Sequence, residues 1–143
     1  MKAHKTLLRH LLLTRYEWIE QRMLARAARN GYGEVTAAMS RLFTHLGGRP
    51  VGLSELARRL GVSRQAVHQL AREAAALNLV EFVASETDGR VKLLRFTQRG
   101  WAMSDNAAEE IEAIEAEIAQ QIGAPAVEAL RELLAQPWGP DER

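Results

Sequence analysis

Arg64, Gln65, His68, Gln69 and Arg72 recur at helical spacing, so a helix through them shows all five on one face. These side chains carry hydrogen-bond donors and acceptors of the kind that read base edges. Arginine meets guanine O6 and N7 through two parallel N–H bonds, and glutamine does the same for adenine N6 and N7. A reading helix presents its N-terminal end to the bases, which makes Arg64 and Gln65 the first candidates. Arg72, two turns further on, suits a phosphate. Ser63 stands where that helix needs an N-cap. Further along, Ser85–Arg90 contains the Asp88-Gly89 turn signal followed by Arg90. A narrow minor groove concentrates negative potential and attracts an arginine placed there. Asp88 cannot favour phosphate, so its expected task is to hold Arg90 or the turn.

Other chemistry finds little support. His4, His10, His45 and His68 lie in no nucleophile elbow, phosphate loop or metalloprotease helix. His4 and His10 have no clear metal-ligand spacing, and no cofactor is expected. The chain has no cysteine, which removes disulfides, thiolate zinc sites and thiol redox sensing. An enzyme is therefore not expected.

The elements that must position these residues follow from hydrophobic spacing. Leu8, Leu12, Tyr16, Ile19, Met23 and Ala27 place an apolar face on a helix over 5–30, stopped by Asn30-Gly31. A second helix over 34–46 carries Met39, Leu42, Phe43 and Leu46. After an extended connector at 49–52 come two short helices, 54–60 and 64–77. Between those two helices, Ala57 is small enough for a close crossing and Gly61 frees the turn. Leu56, Leu60, Val62, Val67 and Leu70 are the expected apolar lock. Residues 80–84 and 91–96 read as strands on either side of the Asp88-Gly89 turn signal. Thr97 can cap a long helix to 122 lined by Ile111, Ile114, Ile118 and Ile122, and a last helix spans 124–135. Pro137 to Pro140 is expected to end the ordered chain. The order describes a mainly α, winged helix-turn-helix fold with a two-stranded wing at about 80–96.

The length of 143 residues fits one domain, here 1–143. The net charge of +1 conceals a division. Residues 1–100 hold 17 Lys and Arg against 8 Asp and Glu, and residues 101–143 hold 2 against 10. A basic face for a polyanion and an acidic segment held apart from it fit this division. The run Glu109, Glu110, Glu112, Glu115, Glu117 reads as the solvated side of the isoleucine-faced helix. Leu11–Leu13 is too short for a signal core or a membrane span, so a cytoplasmic protein without membrane contact is expected.

The sequence resembles the MarR family of bacterial regulators over about residues 7–134. The pieces that carry the likeness are Leu53-Ser54-Glu55-Leu56-Ala57, Val62-Ser63-Arg64-Gln65-Ala66-Val67, Leu77-Asn78-Leu79-Val80, Asp88-Gly89-Arg90 and Phe96-Thr97-Gln98-Arg99-Gly100. The resemblance implies a homodimer built from the terminal helices, 5–46 and 98–136, around a DNA-binding lobe at 47–97. Leu8, Leu12, Ile111, Ile114, Ile118, Leu130 and Leu134 are the implied dimer contacts. It also implies repression at a semi-palindromic operator in double-stranded DNA, relieved by a small molecule, often a phenolic or aromatic acid. Arg15, Tyr16 and Trp18 lie in the region that borders the ligand cavity in the family; Tyr16 as core and Trp18 as a dimer contact is the plainer reading. Asn78 replaces the usual glycine at the end of the recognition helix, and Phe82 stands near a position where a basic residue is frequent. The alternative is a winged-helix module that binds protein or forms a structural dimer without reading sequence. Exposed leucines or acids on the 64–72 face would have favoured it.

Overall fold

The computed structural model describes residues 6–142. His4 and the start expected for the first helix at residue 5 lie outside the described residues. Two compact units are present, Met1–Ala107 and Ala108–Arg143.

In the first unit, α1 (Leu8–Arg29) and α2 (Ala37–Thr44) precede a two-residue strand β1 (Val51–Gly52). Then come α3 (Leu53–Leu60), α4 (Arg64–Ala76), β2 (Val80–Ala84), β3 (Lys92–Phe96) and the start of α5 (Gln98–Ile122). The sheet is antiparallel in the order β1-β3-β2, with Val51 opposite Leu94 and Phe82 opposite the same Leu94 from the other side. The wing is therefore three-stranded. The expected extended connector at 49–52 supplies its third strand, because Val51 and Gly52 satisfy their backbone groups on the free edge of β3. That edge also anchors a hairpin that would be marginal alone.

Three helices of this unit end alike. Gly31 (φ +91°), Gly61 (φ +68°) and Asn78 (φ +59°) adopt left-handed backbone after α1, α3 and α4. The residue after each sends its N–H back five residues, Tyr32 to Ala27, Val62 to Ala57 and Leu79 to Ala74. Asn is among the few side-chain-bearing residues that tolerate this conformation, so Asn78 can end α4 without a glycine. Helix starts are capped locally. Ser63 Oγ accepts from Ala66 N–H at 3.0 Å, and Thr97 Oγ1 accepts from Gly100 N–H at 3.0 Å while donating to the Asn78 carbonyl.

The core gathers Met39, Leu42, Phe43 and Leu46 from α2 and its end with Leu56, Val67, Leu79, Leu94 and Phe96. Ala57, Ala71 and Ala74 are buried among them, where small side chains permit close approach of backbones. Val62 departs from its expected role. It stands 47% exposed, because the left-handed turn at Gly61 aims it outward, while Leu56 and Val67 are fully buried and Leu60 and Leu70 partly so.

The second unit holds the rest of α5 and α6 (Ala124–Ala135), joined at Gly123 (φ +92°) with Pro125 in the first turn of α6. Arg131 bridges Glu115 at 2.7 Å and Glu128 at 3.4 Å, and these carboxylates, Glu115 first, raise its pKa. The chain does not lose order at Pro137–Pro140: the indole N–H of Trp138 donates to the Leu133 carbonyl and a 3-10 turn follows at Pro140–Glu142. Among the described residues, no helix is long and apolar enough to cross a membrane.

Candidate nucleic-acid interface

α4 begins abruptly because Ser63 both leaves the turn in extended backbone and caps the first free N–H groups. Its buried stripe, Val67, Ala71 and Ala74, fixes which side faces out. Arg64, Gln65, His68, Gln69 and Arg72 are all exposed on the remaining surface. They are not equivalent there. Gln69 accepts from Arg72 at 2.8 Å through its carbonyl oxygen and donates to Glu73 at 3.2 Å through its amide nitrogen. Both ends of the Gln69 amide are thus engaged, and Glu73 adds an acid beside the Arg72 cation. His68 leans sideways onto the Phe82 ring of β2, with centroids 5.6 Å apart and planes at 78°.

The turn between β2 and β3 is shaped by side chains. Ser85 Oγ accepts from the N–H groups of Thr87 and Asp88 at 3.3 and 3.4 Å, and the Ser85 and Val91 backbones are bonded at 2.9 Å. Gly89 does not take positive φ, so the Asp-Gly pair forms no mirror-image two-residue turn here. Asp88 holds both the turn and the arginine. Its Oδ1 accepts from the Arg90 backbone N–H at 3.1 Å and lies 3.5 Å from Arg90 Nε. Arg90 itself is 94% exposed. Behind it, Arg95 is neutralised by Glu81 across the strands at 2.8 Å, while Lys92 is exposed on β3.

A second polar group ties α1 to α2. Glu20 is buried and takes a hydrogen bond from Arg41 at 3.3 Å and from the Tyr16 hydroxyl at 3.5 Å. The Arg41 guanidinium lies 5.7 Å from the Tyr16 ring centroid, and Tyr16 and then Glu20 hold its pKa above the ordinary value. Trp18 is stacked instead by Arg22, at 4.0 Å. The resemblance put Arg15, Tyr16 and Trp18 in a region that borders a ligand cavity, with Tyr16 as core and Trp18 as a dimer contact as the plainer reading. In the structure Tyr16 and Trp18 take different cationic partners and Arg15 stands exposed, and Tyr16, 47% exposed, is not a core residue. The Glu20–Arg41 pair was missed, because the two lie 21 positions apart and neither belongs to a motif. The available signal was the position of Glu20 alone, one helical turn after Tyr16 and so in line with Leu8, Leu12 and Tyr16.

A small cleft of about 10 Å³, room for little more than a water molecule, is lined by Tyr32, Leu77, Leu79 and Arg99, with Arg99 donating to the Leu77 carbonyl. Typical sites for drug-sized ligands occupy roughly 300–1,000 Å³, so this one is small for an aromatic acid. Among the described residues, no cluster of three or more His, Asp or Glu is placed to hold a metal.

An exposed polar face at the start of α4, a left-handed turn before it and an arginine-tipped wing after it define the lobe. Residues 35–91 match the model of the MarR family. The MarR-type fold extends well beyond that segment. The apo form of MarR from E. coli is 18% identical, covering 90% of this chain and 94% of its own, with a TM-score of 0.74. The transcriptional repressor CouR bound to a 23-mer DNA duplex is 20% identical over 94% and 97%, at 0.73. CouR from Rhodococcus jostii RHA1 bound to p-coumaroyl-CoA is 18% identical over 94% and 93%, at 0.71. At these identities the likeness is one of fold. No curated protein matches the sequence.

Proposed function

We propose that this chain is a sequence-specific, double-stranded DNA-binding transcriptional regulator that works as a homodimer, a repressor released by a small aromatic or phenolic ligand. The observation that carries this reading is the exposed N-terminal turn of α4, with Arg64 and Gln65 at its tip and Arg90 extended from the wing. In this reading Arg64 and Gln65 contact bases, Ser63 and Arg72 contact phosphate, and His68 and Gln69 flank them. Arg90, held by Asp88, enters the adjacent minor groove. The fold shared with a repressor that has been solved on duplex DNA and with p-coumaroyl-CoA supports both the DNA and the ligand parts. The protein acts in the cytoplasm and carries out no catalysis.

The test is fluorescence anisotropy on a duplex enriched from a random-sequence pool, against a scrambled duplex, at several salt concentrations. Selective binding that weakens steeply with salt is expected. Equal, weak binding to both duplexes at low salt would overturn the reading.

A further inference from the structure

His68 lies on the face of α4 that holds the candidate base readers, yet its ring is turned toward the sheet. The edge-to-face geometry with Phe82, at 5.6 Å and 78°, falls in the range where aromatic pairs attract beyond simple burial. Phe82 is itself fixed: half-buried, packed on the core, and opposite the fully buried Leu94 of β3. Glu81 and Arg95, its sequence neighbour and that neighbour's cross-strand partner, pair with each other on the exposed side. β2 leads from Phe82 directly to the turn that carries Asp88 and Arg90. Val80, Leu94 and Phe96 anchor the base of the strands in the core, and the remaining tether, β1 on β3, is only two residues long.

We propose that His68 is a positioning residue whose ring, braced on Phe82, sets the angle between α4 and the wing and so the distance of Arg90 from Arg64 and Gln65. This rests on the DNA-binding reading for its consequence, though not for its geometry. A histidine that read bases would need its ring nitrogens, whereas a brace needs only the ring. His68→Phe keeps the aromatic contact and discards the nitrogens. His68→Gln keeps hydrogen-bonding groups and discards the ring.

The experiment has two arms. In the free protein, NMR should show His68 ring protons shifted by the Phe82 ring current, a shift erased in Phe82→Leu. Exchange of the Ser85 and Val91 amides should quicken in His68→Gln and stay as in the parent in His68→Phe. On the selected duplex, Arg90→Ala should lower affinity by the same factor in the parent and in His68→Phe. In His68→Gln the Arg90→Ala factor should shrink by at least about threefold, because a wing without its brace no longer delivers the arginine. An Arg90→Ala factor that is equal in all three backgrounds overturns the proposal. So does affinity kept by His68→Gln and lost by His68→Phe. Should the parent select no duplex, the DNA-binding reading fails, and the free-protein arm alone decides whether the brace exists.

Discussion

Arg64 occupies the first position of α4, directly after the Ser63 cap, and is exposed. Replacing it by Ala should cost roughly 1–3 kcal/mol on the selected duplex and broaden sequence preference at one position, measured by anisotropy on single-base variants. An unchanged preference would place Arg64 on phosphate. Gly100 is constrained for a different reason. A Cβ there would overlap the Leu79 carbonyl oxygen and press on the Phe96 ring. Backbone cannot yield as a flexible side chain does, so Gly100→Ala should lower stability by about 2 kcal/mol or more in urea denaturation. A neutral result would mean that the start of α5 moves freely against the end of α4.

Among the elements, the link between α1 and α2 is asymmetric. The Glu20 side chain is 11% exposed and that of Arg41 52%. Removing Arg41 strands a buried carboxylate with only the Tyr16 hydroxyl at 3.5 Å, at a cost of roughly 2–3 kcal/mol. Removing Glu20 returns Arg41 to water and should cost only about 1 kcal/mol. Urea denaturation of Arg41→Ala and Glu20→Ala separates the two, and equal losses would contradict the burial argument. The same logic explains which contacts were legible in advance. Ser63 and Thr97 cap groups three residues away, a relation that local residue types reveal. Gly61 and Asn78 announce their turns through the backbone conformations they tolerate. β1 could not be read, since two residues acquire strand character only by pairing with Leu93 and Leu94 some forty positions later. Val62 was misassigned for a related reason: its apolar type suggested the core, but the turn's backbone angles decided where it points.

For the whole molecule, both units carry uncovered apolar surface. Leu8 and Leu12 of the first and Leu130, Leu133 and Leu134 of the second are exposed. Ile114 differs from the other implied dimer contacts. It is fully buried within the single chain and has no surface to offer a second copy, while Ile111 and Ile118 are partly buried. Light scattering at micromolar concentration should give twice the chain mass of 16.0 kDa, and Leu130→Glu with Leu134→Glu should halve it. A parent monomer would sink the dimer. Affinity for the selected duplex should fall linearly with salt on a log–log plot, with a slope of about −0.9 for each phosphate neutralised.

Sequence alone determined the mainly helical order, the helix-turn-helix, the capping residues and the division of charge, because each depends on residue type within a few positions. Tertiary structure decided the third strand, the Glu20–Arg41 link, the tying of Gln69 by Arg72 and Glu73, and the turn of His68 onto Phe82. Most of these join groups far apart in the chain, and the Gln69 ties depend on rotamers. Their formation depends on how helices and sheet pack, and no local pattern encodes that.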